Sequence, residues 1–115
     1  MKELRFRAWN GKKMIEDVVP TSETSIVELF EYEHQVTEVE SVEQFTGLKD
    51  KNGKEIFEGD ILLDDIGEPC EPWTVKFEDG KFIGEIQGVV EDLFELTDLE
   101  IIGNIHENAE LLEKE

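Results

Sequence analysis

Residues 45–62 read FTGLKDKNGKEIFEGDIL, and this stretch decides the fold. Asn52 and Gly53 lie between two segments of strand-like residues, a pattern that is typical of a β-hairpin. Gly59 forms a second corner, after which the chain continues into the apolar run at 61–63. Because a hairpin and a further strand follow one another so closely, this stretch predicts a β-rich fold.

Two registers can close this hairpin. A two-residue loop at Asn52 and Gly53 sets Lys51 opposite Lys54, and like charges across a ladder are unfavourable. A three-residue loop pairs Asp50 with Lys54 instead, and it places Gly53 in the left-handed conformation that glycine favours. The charge argument therefore predicts the three-residue loop.

Other turns repeat the pattern along the chain. Residues 4–9 alternate between apolar and other side chains, as in a half-buried strand, and the Asn-Gly pair at 10–11 predicts a hairpin after them. Asp79 and Gly80 are typical of a type I′ hairpin turn. Gly103 interrupts the last strand-like segment.

One part of the sequence is ambiguous. Residues 25–32 fit a short helix or an extended segment, because their apolar residues have helical spacing but the neighbouring acids weaken either structure. Residues 35–39 include β-branched side chains and predict a strand. Residues 64–72 contain two prolines and a glycine, so they predict a loop.

Together these signals indicate a single, mainly β domain over residues 1–115. We predict a small barrel or SH3-like core at about 56–105, within a central region of about 46–106. An N-terminal β layer at about 1–45 and a short C-terminal helical tail at 108–115 complete the expected architecture.

The cysteine count and the distribution of apolar residues exclude several classes of protein. Cys70 is the only cysteine, so an internal disulfide and a four-thiolate zinc site are impossible. No signal-peptide pattern is present, and no apolar stretch approaches the roughly 18–20 residues that cross a bilayer. We therefore expect a cytoplasmic protein without membrane contact.

The formal net charge is −19, and it is unevenly placed. Residues 1–13 carry a balance of +4, whereas the rest of the chain carries −23. An acidic surface repels phosphates, so we expect no direct binding of nucleic acid. The charge asymmetry predicts a homo-oligomer, and a basic host or phage protein is the other expected partner.

The basic N-terminal residues and a neighbouring tryptophan form a possible interaction surface, which comprises Arg5, Arg7, Trp9, Lys12 and Lys13. The alternative interpretation is that these cations pair with acids of the same chain or of a neighbouring subunit.

Three blocks of sequence together resemble the YopX family of small phage and prophage proteins. They lie at 4–9 (LRFRAW), 44–60 (QFTGLKDKNGKEIFEGD) and 101–108 (IIGNIHEN), and they occur in the order seen in that family. The resemblance implies a phage-encoded or prophage-encoded protein from a Gram-positive host. It implies no activity, cofactor or catalytic residue, so no site is carried over.

The residues themselves indicate no reaction centre. His34 and His106 lack metal-ligand spacing, and the acids around Cys70 do not match a calcium loop, so we predict no catalytic, cofactor-binding or metal site. The residues singled out beyond the basic surface are structural turn residues, namely Asp50, Asn52, Gly53, Gly59, Asp79, Gly80 and Gly103.

The favoured function is therefore an accessory role through protein–protein contact without catalysis. One alternative is an acidic mimic of nucleic acid that blocks a host DNA-binding protein. A second alternative is a small hydrolase or metal-dependent enzyme that uses surface carboxylates.

Overall fold

The computed structural model describes residues 4–23, 25–29, 35–63 and 71–112. The mainly β prediction is confirmed, because the described residues form two antiparallel sheets and only two short 3₁₀ turns. The strands are β1 Phe6–Trp9, β2 Met14–Pro20, β3 Ile26–Leu29, β4 Val36–Glu38, β5 Ser41–Lys49, β6 Glu55–Phe57, β7 Asp60–Leu63, β8 Pro72–Glu78, β9 Lys81–Ile86, β10 Val89–Asp92 and β11 Glu100–Asn104. The 3₁₀ turns are η1 Leu93–Leu96 and η2 Ala109–Leu112.

The strands belong to a six-stranded sheet of order β4-β3-β2-β1-β5-β6 and a five-stranded sheet of order β10-β9-β8-β7-β11. The chain divides into two units, Met1–Phe45 and Thr46–Glu115, which are described separately below. The interpretation of residues 1–115 as a single domain stays a prediction.

In the first unit, β1 and β2 form the hairpin that the Asn-Gly pair predicts, with Trp9 opposite Met14. The loop has four residues, because the side chain of Asn10 organises it. Asn10 Oδ1 accepts hydrogen bonds from the backbone N–H groups of Lys12 and Lys13, at 2.8 and 2.9 Å. The unit's small core comprises Ala8, Val18, Val27 and Val39.

The ambiguous segment of the first unit is extended. Residues Ile26–Leu29 pair with β2 on one side and with β4 on the other, so tertiary pairing selects the strand over the helix. The strand predicted at 35–39 is present as β4. The remainder of the 25–32 prediction, at 30–32, lies outside the described residues.

In the second unit, the predicted type I′ hairpin joins β8 to β9. Asp79 and Gly80 have φ angles of 51° and 82°, and Phe77 faces Phe82 with ring centroids 4.9 Å apart. Both are on the side of the sheet that faces the main core of this unit, although Phe77 remains 49% exposed. The hairpin turn predicted from the Asp-Gly signal is confirmed.

The core of the second unit lies against one face of the five-stranded sheet, and η1 covers part of it. Its buried members are Ile56, Leu62, Val75, Leu93, Leu96 and Leu99. Gly84 leaves room for this packing, because a Cβ atom there would displace Leu96 Cδ1. The glycine thus lets η1 sit directly on β9.

Buried side chains lie on both faces of this sheet. Ile61 and Leu62 are consecutive in β7, point to opposite faces and are both fully buried. Ile83 of β9 is also buried, on the face away from Phe82. Because β7 is covered on both faces, apolar residues can occupy consecutive positions in it.

The five-stranded sheet begins at β10 and ends at β11, so the described pairings form an open sheet, and barrel closure is not found among them. The predicted tail is a single 3₁₀ turn, η2, and residues 113–115 lie outside the description. Within the described ranges, no helix is long and apolar enough to cross a bilayer.

Candidate functional site

Asp50 organises the loop that the opening stretch predicts. Its backbone N–H donates to Lys54 O at 2.8 Å, and the N–H of Gly53 donates to Asp50 O at 3.0 Å, which confirms the three-residue loop. Asp50 Oδ1 accepts from the backbone N–H groups of Asn52 and Lys54, at 2.8 and 2.9 Å. Gly53 has a φ of 82°, the left-handed conformation expected for the position.

The same carboxylate joins the loop to β11. Asp50 Oδ2 accepts a hydrogen bond from the N–H of Ile101 at 2.9 Å, and Lys51 N–H donates to Leu99 O at 3.1 Å. Asn52 Nδ2 also donates to Glu100 Oε2 at 3.3 Å. The loop between β5 and β6 is therefore docked along the outer edge of β11.

Asp50 is ionised in this setting in spite of its burial. Burial opposes the charged form, but hydrogen bonds from the backbone N–H groups of Ile101, Lys54 and Asn52, with the Lys54 ammonium nearby, outweigh it. The net result is a pKa of Asp50 below its ordinary value. The residue acts as a structural acceptor for three backbone donors.

Two other turns in the family-like blocks use the same device. At the Gly59 corner, Asp60 Oδ2 accepts from Phe57 N–H at 2.8 Å. Beyond β11, Asn104 Oδ1 accepts from the N–H groups of His106 and Glu107, at 3.0 and 2.9 Å. The side chains of these blocks thus satisfy their own backbone.

The 101–108 block also closes the far end of the β11 edge. Asn108 Oδ1 accepts from Asn104 N–H at 3.1 Å, and Asn108 N–H donates to Asn104 O at 2.9 Å. Gly103 is required beside this pair, because a Cβ atom there would overlap the Asn108 side chain. His106 contributes its backbone N–H to this turn.

The basic surface expected from the sequence is divided between the interior and the exterior of the first unit. Arg7 is buried and pairs with buried Glu43, with Nε and Oε1 2.9 Å apart. Arg5 is half-buried, lies 3.8 Å from Asp17 Oδ1 and places its guanidinium carbon 5.1 Å from the Phe45 ring centroid. These two arginines therefore contact acids of their own chain.

The other three residues of that surface lie near the first hairpin. Lys12 and Lys13 are exposed in the β1–β2 loop, and Trp9 is half-buried at the end of β1. The hairpin tip thus presents the two lysines to solvent. The interaction surface drawn from the sequence stays a prediction.

An exposed apolar surface lies on the second unit, where the sequence singled out no site residue. Val89 and Val90 of β10 are 56% and 49% exposed, and Phe94 of η1 is 69% exposed. We call Val89–Asp92 together with Phe94 and Glu95 the β10 edge surface. Every residue in this set is solvent-exposed.

The local geometry holds this surface in place. Gln87 and Gly88, with φ angles of 47° and 85°, turn β9 into β10. Asp92 then ends the strand as the N-cap of η1, where its Oδ1 accepts from Phe94 N–H at 3.3 Å. The buried leucines of η1 anchor the turn, so Phe94 points outward between them.

The sequence contained a weak signal for this surface. Leu93 and Leu96 are three residues apart, which puts both on one side of a 3₁₀ turn and leaves Phe94 on another. The exposure of Val89 and Val90 could not be read in the same way, because it depends on β10 being the last strand of the sheet.

In the part of the chain that the structure describes, no group of three or more His, Cys, Asp or Glu residues could hold a metal ion. Of the loop predicted at 64–72, residues 64–70 lie outside the described residues, and the prediction is wrong at Pro72, which begins β8 and pairs with Leu63. His34 lies outside the described residues as well.

Comparisons with known proteins agree with the sequence blocks. The family described as "YopX protein" matches residues 5–113. The chain is similar to the crystal structure of protein EF1440 from Enterococcus faecalis, with 31% identity and a TM-score of 0.72, over 98% of this chain and 100% of that one. No curated protein matches. Because the family match runs through nearly the whole chain, from residue 5 to residue 113, the chain belongs to the YopX family.

Proposed function

We propose that this protein is a phage-encoded or prophage-encoded accessory protein that acts by binding another protein, without catalysis. The observation that carries the proposal is the β10 edge surface. Large apolar side chains are exposed at Val89 and Val90 of β10, on opposite faces of the strand, and at Phe94 of the adjoining turn η1, which buried leucines hold in place. Exposed apolar groups rimmed by charges are characteristic of protein-binding surfaces.

Charge supports a basic partner. Residues 46–115 contain 20 acidic and 6 basic side chains, a net charge of −14. Glu91, Asp92 and Glu95 place part of that charge directly beside the apolar residues. Such a field accelerates encounter with a basic protein and repels acidic ones.

A capture experiment tests the proposal. The wild-type chain is used as bait in bacterial host lysate, beside the double variant Val90→Thr/Phe94→Ser. We expect the variant to recover its specific partner at least about tenfold less, which corresponds to about 1.4 kcal/mol, and we expect most of this loss to come from removal of the Phe94 ring. Quantitative mass spectrometry measures the recovery.

The matched control is Leu4→Ser. Leu4 is 68% exposed, as Phe94 is, but it belongs to the first unit. Recovery by this variant is expected to equal that of the wild type. Equal loss in both variants, or none in either, would refute a role for the β10 edge surface.

Mimicry of nucleic acid is a different outcome of the same experiment. It would be supported by recovery of DNA-binding proteins that falls as salt rises and does not depend on Val90 or Phe94. That result would count against the proposal.

We also propose that the protein self-associates into a homo-oligomer. Lys12 and Lys13 at the hairpin tip are complementary in charge to the acidic second unit. We expect light scattering at low salt and high protein concentration to give a mass above 13.3 kDa, the mass of one chain. A monomer mass under these conditions would refute the proposed self-association.

A further inference from the structure

The two edges of the five-stranded sheet differ in how their backbone groups are used. At the β11 edge, Ile101 N–H donates to Asp50 Oδ2, and Leu99 O accepts from Lys51 N–H. Asn104 N–H and O are both bonded to Asn108. The structure thus covers this edge with the Asp50 loop and the 101–108 turn.

The β10 edge has a different arrangement. Val89 faces Ile86 across a two-residue turn, and the pair that closes such a turn is hydrogen-bonded. The next residue, Val90, faces Glu85 as a non-hydrogen-bonded pair, so its N–H and C=O point away from β9. No strand lies beyond β10 in the described part of the sheet.

The composition of β10 selects among the chains that could pair there. A second copy of this protein that paired there through its own β10 would place another Glu91 and Asp92 beside the first two. Lys81 Nζ lies 3.7 Å from Asp92 Oδ2, but both side chains are more than half exposed, so this ion pair neutralises the edge only weakly. A basic segment has the complementary charge.

We propose that β10 accepts an extended basic segment of a partner protein as an additional strand of the sheet. The backbone of the segment pairs with the N–H and C=O of Val90, its basic side chains lie beside Glu91 and Asp92, and an apolar side chain contacts Phe94. This mode of recognition is β-strand addition, in which main-chain bonds supply affinity and alternate side chains supply specificity. The inference rests on the proposed protein-binding function and specifies its partner.

The variant Val90→Pro distinguishes backbone pairing from apolar side-chain contact as the source of peptide binding. Proline at this position removes the N–H that points outward and leaves the bonds to β9 intact, which is where edge strands tolerate proline. Val90→Thr keeps the N–H and a β-branched side chain. Thermal unfolding of both variants verifies that they are folded.

The probe is a displayed library of random dodecapeptides, selected on the immobilised wild-type chain. We expect the enriched peptides to carry Lys or Arg at two consecutive positions, because Glu91 and Asp92 point to opposite faces of β10, together with at least one apolar residue. Their affinity should fall at least about tenfold in Val90→Pro, because strand pairing is blocked, and much less in Val90→Thr. Bound peptide should also slow amide hydrogen exchange at Val90.

Peptides with helical spacing, acidic peptides, no enrichment, or equal binding to Val90→Pro and the wild type would each overturn strand addition. The same variant separates this failure from failure of the proposed function. If lysate capture depends on Phe94 and is unaffected by Val90→Pro, the protein-binding function stands and strand addition is wrong.

Discussion

Arg7→Met is expected to lower the free energy of unfolding by about 3–5 kcal/mol, because it leaves the Glu43 carboxylate buried without its cation. The side chains of Arg7 and Glu43 are only 9% and 7% exposed, so water cannot replace the lost partner. Urea unfolding followed by far-UV circular dichroism measures the change.

Two further variants isolate the cause. Arg7→Met/Glu43→Leu removes both charges, and it should recover most of the lost stability, since apolar residues of similar size often replace a buried ion pair without loss. Arg5→Met is the matched control on the same strand. Its ion pair with Asp17 is longer and more exposed, so its cost should be about 1 kcal/mol. Equal costs for the two single variants would contradict the burial argument.

Asp50→Asn is expected to lower the free energy of unfolding by about 3 kcal/mol at neutral pH. Asparagine can still accept from Asn52 and Lys54 N–H, but its amide group would face the Ile101 N–H, donor against donor. Hydrogen bonds to a charged acceptor contribute about 1.5–3 kcal/mol each, and an unsatisfied donor adds a desolvation cost. The loop should then separate from β11.

The effect of Asp50→Asn depends on pH in a definite direction. The pKa of Asp50 is lower in the folded state than the value of about 3.9 in the unfolded chain. Its contribution is therefore complete above the unfolded pKa and is lost as pH falls through the folded pKa. The stability difference between wild type and Asp50→Asn should be constant from pH 7 to about pH 5 and then shrink toward pH 2.

Asp79→Asn is the control for this experiment. It makes the same substitution in the β8–β9 turn, where Asp79 is exposed and asparagine suits the positive φ. Its stability should match that of the wild type within about 0.5 kcal/mol. A difference between Asp50→Asn and wild type that does not change in acid would show that ionisation of Asp50 does not support the fold.

Local signals predicted the hairpins well, because each depends on a few adjacent residues. The Asp50 loop, the Asp79-Gly80 turn and the extended 35–39 segment all follow from turn chemistry, charge pairing or β-branching. The four-residue loop after β1 was not specified by the Asn-Gly pair, since its length depends on how the Asn10 side chain bonds to Lys12 and Lys13.

Residues with long-range roles could not be assigned in the same way. The alternation in β1 places Arg7 on the face opposite Phe6 and Ala8. An arginine on such a face is ordinarily exposed to solvent. The sequence gives no sign that Arg7 and Glu43 are buried there. The hydrogen bond between Asp50 and Ile101 joins two residues that are 51 positions apart in the chain. Neither contact has a signature within a short window of sequence.

The candidate site was the least predictable part. Apolar residues are expected to be buried, so Val89, Val90 and Phe94 would be placed in the core on composition alone. Their exposure follows from the order of the strands, which ends at β10, and from the two leucines that take the inward positions of η1.

The amino-acid sequence alone was sufficient to predict the family, the mainly β class and the positions of the tight turns. These properties depend on residue identity and on spacing over a few positions. The folded arrangement alone decided that Arg7 is buried, that the β11 edge is covered and that β10 is the outermost strand of its sheet among the described residues. These properties depend on which strands become neighbours, and that choice is made by packing and hydrogen bonding between residues far apart in sequence.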